Sequence, residues 1–243
     1  MQDNSMTIQE LREKYIYRLD KTSDSREVEY ISEDLFSLDL TMYSKKKNLN
    51  SILYNALAAS SLDDSISLHP AQMEILNIIE NNNASIISAP TSFGKTFCIF
   101  EYVNKFKPKT VVLVVPTLAL IDEYKTKIIN KYRENFAEYK IYTTISRDKE
   151  YDFSKNIMFI LTHDKIVQDN TYEILEEIDF LAIDEIYKLE RKENDDRVLI
   201  LNMAYYYLSK IAKKYVLLAP FIENVEKTNI LDKNPYFYKS EYS

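Results

Sequence analysis

The chain of 243 residues carries 38 acidic against 31 basic side chains, a net charge of −7, with 46% hydrophobic residues, one cysteine and two histidines. That balance argues against a protein that grips nucleic acid by bulk charge, though it leaves room for a local basic groove. The lone Cys98 excludes an internal disulfide framework or a cysteine zinc cluster, and the longest apolar run, Val111 to Val115, falls far short of the ~20 residues that span a bilayer.

The polar start lacks a signal-peptide core, so a soluble, cytoplasmic protein is expected. From about Thr7 to Ser60 the texture is helical, as in IQELREKYIYRL and NSILYNALAAS, with polar breaks at KTSDS and SKKKN. Residues 1–66 are therefore expected to form a helical N-terminal appendage, and residues 67–243 a second domain. After the loop Ser61 to Ser67, short β-branched runs alternate with longer amphipathic stretches. Strands are predicted at Ser85–Ala89, Thr110–Pro116, Lys140–Ile145, Asn156–Leu161, Ile178–Asp184 and Tyr215–Ala219. Helices are predicted at about Pro70–Glu80, Lys95–Lys105, Leu118–Arg133 and Asp196–Lys213. Strands buried on both faces read as continuous apolar runs, and their alternation with helices implies crossovers in a parallel sheet. The fold class is thus α/β, a three-layer domain.

Glycine is nearly absent. At the usual frequency of about 7% such a chain would hold roughly 17, yet Gly94 stands alone. An AT-rich coding sequence accounts for the bias, since Lys, Asn, Ile, Tyr and Phe abound. Turns elsewhere are expected to use Asn and Asp in left-handed backbone, at Asn81–Asn83 and Asn194–Asp196.

The surviving glycine lies in S-A-P-T-S-F-G-K-T (Ser88–Thr96), between a predicted strand and a predicted helix, the context a phosphate-binding loop requires. Backbone amides of about Ser92 to Thr96 would face an anion, aided by the dipole of the following helix. Gly94 lets the backbone approach phosphate where a Cβ would intrude. Lys95 would neutralise the terminal phosphates and the Thr96 hydroxyl would ligate Mg²⁺. Downstream, a buried strand ends in I-D-E-I-Y (Ile183–Tyr187). Acids at the C-terminal end of such a strand lie where α/β sheets bind ligands, beside the phosphate loop if the two strands neighbour. Asp184 would hold Mg²⁺ through water and Glu185 would orient and deprotonate the attacking water.

Taken in order, these segments resemble the first RecA-like domain of a superfamily 2 helicase, of the DEAD/DEAH-box and Ski2-like groups. L-H-P-A-Q (Leu68–Gln72) resembles the adenine-reading segment, which implies that Gln72 pairs with the base edge. A-P-T-S-F-G-K-T resembles motif I, implying nucleotide contacts from Thr91, Ser92, Phe93, Gly94, Lys95 and Thr96. V-P-T-L-A-L-I-D-E-Y (Val115–Tyr124) resembles motif Ia, L-T-H-D-K (Leu161–Lys165) motif Ib and D-E-I-Y (Asp184–Tyr187) motif II. The resemblance covers about Leu68 to Ser243 and extends to helicases of bacterial phage-defence systems of the Hachiman type. It implies a RecA-like P-loop fold, ATP and Mg²⁺ as cofactors, and Lys95, Asp184 and Glu185 as catalytic residues.

The chain departs from the family pattern at Tyr187, where His or Asp is usual, and at L-A-P (Leu218–Pro220), where the hydroxyls of motif III are missing. Nothing up to Ser243 matches motifs IV to VI. The resemblance therefore implies half of an ATPase site, completed by a second RecA-like domain whose arginine finger is worth about 10³–10⁵ in rate. It also implies a nucleic-acid strand held at its backbone by Thr117 and Thr162, although threonine before a helix serves equally as a cap. Lys125, Lys127, Lys131 and Arg133 read either as an extension of that groove or as a solvated helix face. His163 reads as a loop or capping residue, Cys98 as a small buried hydrophobe, and Tyr54 as packing on its own helix or on adenine. Two rival functions stand beside the motor: a non-catalytic scaffold that binds a partner protein through the helical N-terminus, and a P-loop kinase, which the scarcity of arginine disfavours.

Overall fold

A computed structural model describes residues 8–22, 28, 31, 34, 53–54, 56–168, 171–185, 196–220, 222–223 and 233–240. The chain divides into two compact units, Met1–Met73 and Glu74–Ser243. In the first, helix α1 (Ile8–Lys21) buries Leu19 against Ile31, with Tyr15, Ile16 and Val28 packed around them. Further along this unit an antiparallel bridge joins Ala59 to Ser67, and the loop between is organised by Ser60, whose hydroxyl accepts the amides of Leu62 and Asp63. Tyr54 donates its hydroxyl proton to the Leu68 carbonyl at 2.7 Å, a local packing role.

The second unit is built on seven parallel strands in the order β3-β4-β2-β5-β6-β1-β7. They are β1 (Ala84–Ser88), β2 (Thr110–Val115), β3 (Lys140–Tyr142), β4 (Ile157–Thr162), β5 (Ile178–Ile183), β6 (Ala212–Ala219) and β7 (Tyr236–Lys239). Helix α2 (Pro70–Asn81) has its first turn in the first unit and the rest in the second, which also holds α3 (Lys95–Phe106), α4 (Leu118–Thr126), α5 (His163–Gln168) and α6 (Asp196–Ile211). Every residue of β1, β2 and β4 is buried, because helices cover both faces. On one face Ile86, Val112, Val114, Phe159, Leu181 and Leu217 pack against Ala204 and Leu208 of α6. On the other, Tyr102 of α3 stacks on Phe180 of β5 with ring centroids 4.6 Å apart, and Phe100 meets Tyr124 of α4 edge-on at 5.4 Å. This is the three-layer RecA-like α/β fold expected from the sequence. Among the described residues no helix is long and apolar enough to cross a membrane.

Several boundaries differ from the sequence expectation. The predicted strand at Tyr215–Ala219 starts three residues earlier, so α6 ends at Ile211, and β3 stops at Tyr142 because it is an edge strand paired on one side alone. The helix predicted through Arg133 is α-helical only to Thr126 and continues as a π-turn, Lys127–Lys131, in which the Tyr132 amide reaches back to the Lys127 carbonyl. Strand β7 and helix α5 are additional.

The left-handed turns are also corrected. Among the described residues the positive-φ positions are Gly94, Lys107 and Glu185; neither Asn nor Asp adopts that conformation. At Asn81–Asn83 the need for it disappears because side chains close the end of α2. Asn81 and Asn82 donate their amides to the carbonyls of Asn77 and Ile78, and Lys214 of β6 reaches over to the carbonyls of Ile79, Glu80 and Asn82. The other expected turn falls mostly outside the described residues; Asp196 begins α6.

Candidate nucleotide site

Because all seven strands run parallel, their C-terminal ends share one edge of the sheet, and the sequence motifs collect there. From β1 the chain passes through Ala89 and Pro90 into a 3₁₀ turn, Thr91–Phe93, then Gly94, then α3. Gly94 takes φ 85°, ψ 33°, a left-handed conformation that joins the two helical segments of opposite purpose: a tight turn behind and an open N-terminus ahead. The Phe93 amide is used internally, donating to the Pro90 carbonyl at 3.1 Å. Lys95 folds back over the loop and donates to the carbonyls of Ala89 and Pro90 at 2.6 and 3.0 Å. Burial pulls its ammonium below the usual lysine range, while the charges of Asp184 and Glu185 act in the opposite direction.

Strand β6 lies between β1 and β5, so the phosphate loop and the acidic pair do not sit on neighbouring strands. The gap is spanned from α4. Tyr124, 4% exposed, approaches the Thr96 hydroxyl at 3.0 Å and donates to Oδ2 of Asp184 at 3.1 Å. Burial, followed by the Asp184 charge, raises the Tyr124 phenol well above its ordinary range. The other carboxylate oxygen of Asp184 accepts the Glu185 amide at 2.8 Å, and Glu185 adopts φ 57°. Burial pushes the Asp184 carboxyl upward, against the Glu185 amide, the Tyr124 hydroxyl and the Lys95 charge.

These groups line a cleft of about 390 Å³ with Ser92, Gly94, Lys95, Thr96, Glu185 and Pro220. Glu123 and Lys127, paired at 2.6 Å, line it too, although the sequence assigned Lys127 only to a basic groove or a solvated face. Ile186 and Tyr187 lie outside the described residues. Beside Leu218–Pro220, the Ser88 hydroxyl of β1 ties down the following backbone: its Oγ accepts the Ile222 amide at 2.8 Å and faces the carbonyls of Pro220 and Ile222.

Of the other expected site residues, Gln72 belongs to the first unit. Its Oε1 accepts the His69 amide at 3.0 Å, and His69 Nδ1 accepts that of Ala71, a reciprocal cap on α2. The side chain of Thr91 is not described, and Phe93 does not line the cleft. Thr117 is the N-cap of α4 and accepts the Leu120 amide at 3.3 Å. Thr162, 5% exposed, ends β4; its register partner Val115 ends β2, so both threonines occupy one corner of the same sheet edge, outside the cleft. His163 is buried at the start of α5, and burial pushes the Cys98 thiol to about 12, leaving it inert.

A divalent cation fits this donor set only with help from a ligand. Among the described residues there is no group of three or more His, Cys, Asp or Glu side chains that could hold a metal. Thr96 and Asp184, however, both meet the Tyr124 hydroxyl, and a hydroxyl and a carboxylate are donors of the kind a hard divalent cation takes; its other ligands would have to come from phosphate oxygens and water. Tyr124 was the residue that sequence reasoning quoted without assigning a role. Its signal was spacing: Ile121, Tyr124 and Ile128 fall on one buried face, and a buried phenol needs a partner for its hydroxyl.

A family model described as DEAD/DEAH box helicase matches residues 69–224. Anti-bacteriophage protein B of Escherichia coli (strain K12) is 26% identical over 195 residues, covering 77% of this chain and 26% of that protein. Exosome RNA helicase MTR4 of Homo sapiens is 24% identical over 210 residues, covering 74% and 19%. This chain therefore spans about a quarter or less of the length of these curated relatives. Among solved structures, the UvsW helicase from Bacteriophage T4 matches with a TM-score of 0.55 at 15% identity, over 89% of this chain and 77% of that one. The DUF1998 helicase MrfA matches at 0.54 and 16%, over 78% and 32%. At such identity the structural likeness speaks for the fold.

Proposed function

From the premise that this chain belongs to the DEAD/DEAH box helicase family, we propose that it is the ATP-binding motor domain of a nucleic-acid helicase or translocase, carrying the front half of the ATPase site. The observation that carries the reading is the convergence of Thr96 and Asp184 on one oxygen beside the left-handed Gly94 loop. In this reading residues 1–66 are an appendage and 67–243 the RecA-like domain. Gly94 and the first amides of α3 receive the phosphates, and Lys95 leaves the carbonyls of Ala89 and Pro90 to neutralise them. Thr96 and Asp184 hold Mg²⁺, which stabilises charge on the transferring phosphoryl group. Glu185 orients the attacking water.

A second RecA-like domain is the partner that completes the site with an arginine finger. Thr117 and Thr162 contact the backbone of a single or partly duplex strand, positioning it without reading sequence. The similarity to Anti-bacteriophage protein B supports a role in antiphage defence; in this reading the domain works in the cytoplasm.

ATP binding and turnover by wild type, Lys95→Ala and Glu185→Gln test the site. Lys95→Ala is expected to lose ATP affinity, and Glu185→Gln to bind ATP but turn it over slowly. Equal binding by the Lys95 variant overturns the phosphate-loop reading. Adding the polypeptide of a second RecA-like domain is expected to raise turnover. Filter binding of a single strand is expected to weaken with salt; a flat response overturns the backbone contacts.

A further inference from the structure

The hydrogen-bond chain through Tyr124 has a defined direction. A carboxylate only accepts, and a phenol carries a single proton at neutral pH. Tyr124 spends that proton on Oδ2 of Asp184 at 3.1 Å. It can therefore only accept from Thr96, whose Oγ1 lies 3.0 Å away, so the threonine must be the donor. With its proton committed to Tyr124, the Thr96 hydroxyl is left with lone pairs alone for any ligand. That is the form of a hydroxyl that coordinates a cation; a hydroxyl free to turn its proton outward does not. The ring that delivers the phenol is itself fixed, being buried and edge-on to Phe100 at 5.4 Å. The same contact takes one oxygen of Asp184, and the Glu185 amide takes the other at 2.8 Å, so the carboxylate plane cannot rotate freely.

We propose that Tyr124 is a positioning residue of the metal–nucleotide site: a relay from the Thr96 hydroxyl through the Tyr124 hydroxyl to Asp184 orients Thr96 as a cation ligand and Asp184 as its water-bridged neighbour. The inference rests on the nucleotide reading above and deepens it, since it concerns how this chain's own residues accept the cation. Chains of hydrogen bonds polarise one another, so the relay also strengthens each of its members. It differs from a blocking role, in which the phenol would occupy the cation's place and have to be expelled.

The two roles predict opposite signs. A fluorescent ATP analogue is titrated against the 243-residue chain in EDTA and at a series of free Mg²⁺ concentrations. Tyr124→Phe keeps the ring and removes the oxygen; Thr96→Ala breaks the same relay from its other end. For Tyr124→Phe the Mg²⁺ concentration giving half of the metal-dependent gain in affinity is expected to rise about tenfold, the usual scale for outer-sphere partners of a metal. Its thermal unfolding midpoint, measured beside the titration, reports that the variant is folded. Thr96→Ala is expected to raise the Mg²⁺ midpoint as well, and the double variant to lose less than the two single losses combined, because either single variant already breaks the Thr96 arm of the relay. An unchanged or lower Mg²⁺ midpoint in Tyr124→Phe overturns the relay, the lower one in favour of blocking. Additive losses in the double variant overturn it too. Should wild type and Lys95→Ala bind the analogue equally, the nucleotide reading itself fails and the relay with it. If Lys95→Ala loses binding but Tyr124→Phe is unshifted, only the relay fails.

Discussion

The Glu185 amide donates to Oδ1 of its own neighbour Asp184 at 2.8 Å, and the glutamate carries this bond in left-handed backbone, φ 57°. For a residue with a Cβ that conformation costs roughly 1–2 kcal/mol. Strain of this kind persists where surrounding contacts over-determine the backbone, as the bonds to Asp184 do here. Glu185→Gly removes the Cβ at the cost of a more flexible unfolded chain, so its urea midpoint is expected to report a gain of up to about 1 kcal/mol. Turnover of ATP is expected to disappear in the same variant. A lower midpoint would show that the glutamate side chain contributes more to the fold than its backbone costs.

Gly94 gives the complementary case. Its φ of 85° lies in the same half of conformational space, between the 3₁₀ turn and α3. Gly94→Ala is expected to lower stability by about 1 kcal/mol and to weaken ATP binding at least tenfold, about 1.4 kcal/mol or more. The larger loss in binding arises because the new methyl group stands where phosphate must approach. Thermal melting beside an ATP titration measures both, and a melting shift without loss of affinity contradicts the assignment.

The parallel sheet was legible because β1, β2 and β4 are buried on both faces and so are written as runs of apolar and small residues with no charge and no alternation. Strand β7 was not, since Tyr236–Lys239 pairs with β1 on one side only and leaves its ends exposed, which removes the pattern. The phosphate loop was legible through its solitary glycine. The left-handed residues Lys107 and Glu185 were not, because neither lysine nor glutamate is a residue type that favours that backbone. Tyr124 was invisible as a site residue for a related reason: its partners Thr96 and Asp184 are remote in sequence, and only the interposition of β6 between β1 and β5 creates the gap it spans.

A chain with one glycine must end its helices by other means, and Lys214 is one of them. Its Nζ donates to the carbonyls of Ile79 and Glu80, in the last turn of α2, at 2.5 and 2.8 Å, and to that of Asn82, just beyond it, at 2.7 Å. Burial lowers its pKa, so the site tolerates the charge only because those acceptors surround it. Lys214→Met keeps the apolar stem and removes the donor. The expected loss is about 2 kcal/mol in a denaturant titration, together with faster hydrogen exchange near the C-terminal end of α2. Unchanged stability would mean that water replaces the ammonium without cost.

At the opposite edge of the sheet from the cleft, Asp179 ties the starts of three strands together. Its Oδ2 accepts the Thr110 amide of β2 at 2.9 Å and its Oδ1 accepts from Lys213 of β6 at 2.8 Å. Burial pushes its carboxyl upward, but the Lys213 ammonium and the Thr110 amide outweigh that and hold it below the usual carboxylate range. A carboxylate depressed in the folded state stabilises above its unfolded pKa, near ~3.9, and that contribution is lost as pH falls through the lower, folded value. Asp179→Ala is therefore expected to cost about 1–2 kcal/mol at pH 7. The gap from wild type is expected to narrow once the pH drops below about 4. A gap that stays constant from pH 7 to pH 3 would mean that the loss comes from packing at the strand starts, with no contribution from the ionised carboxylate.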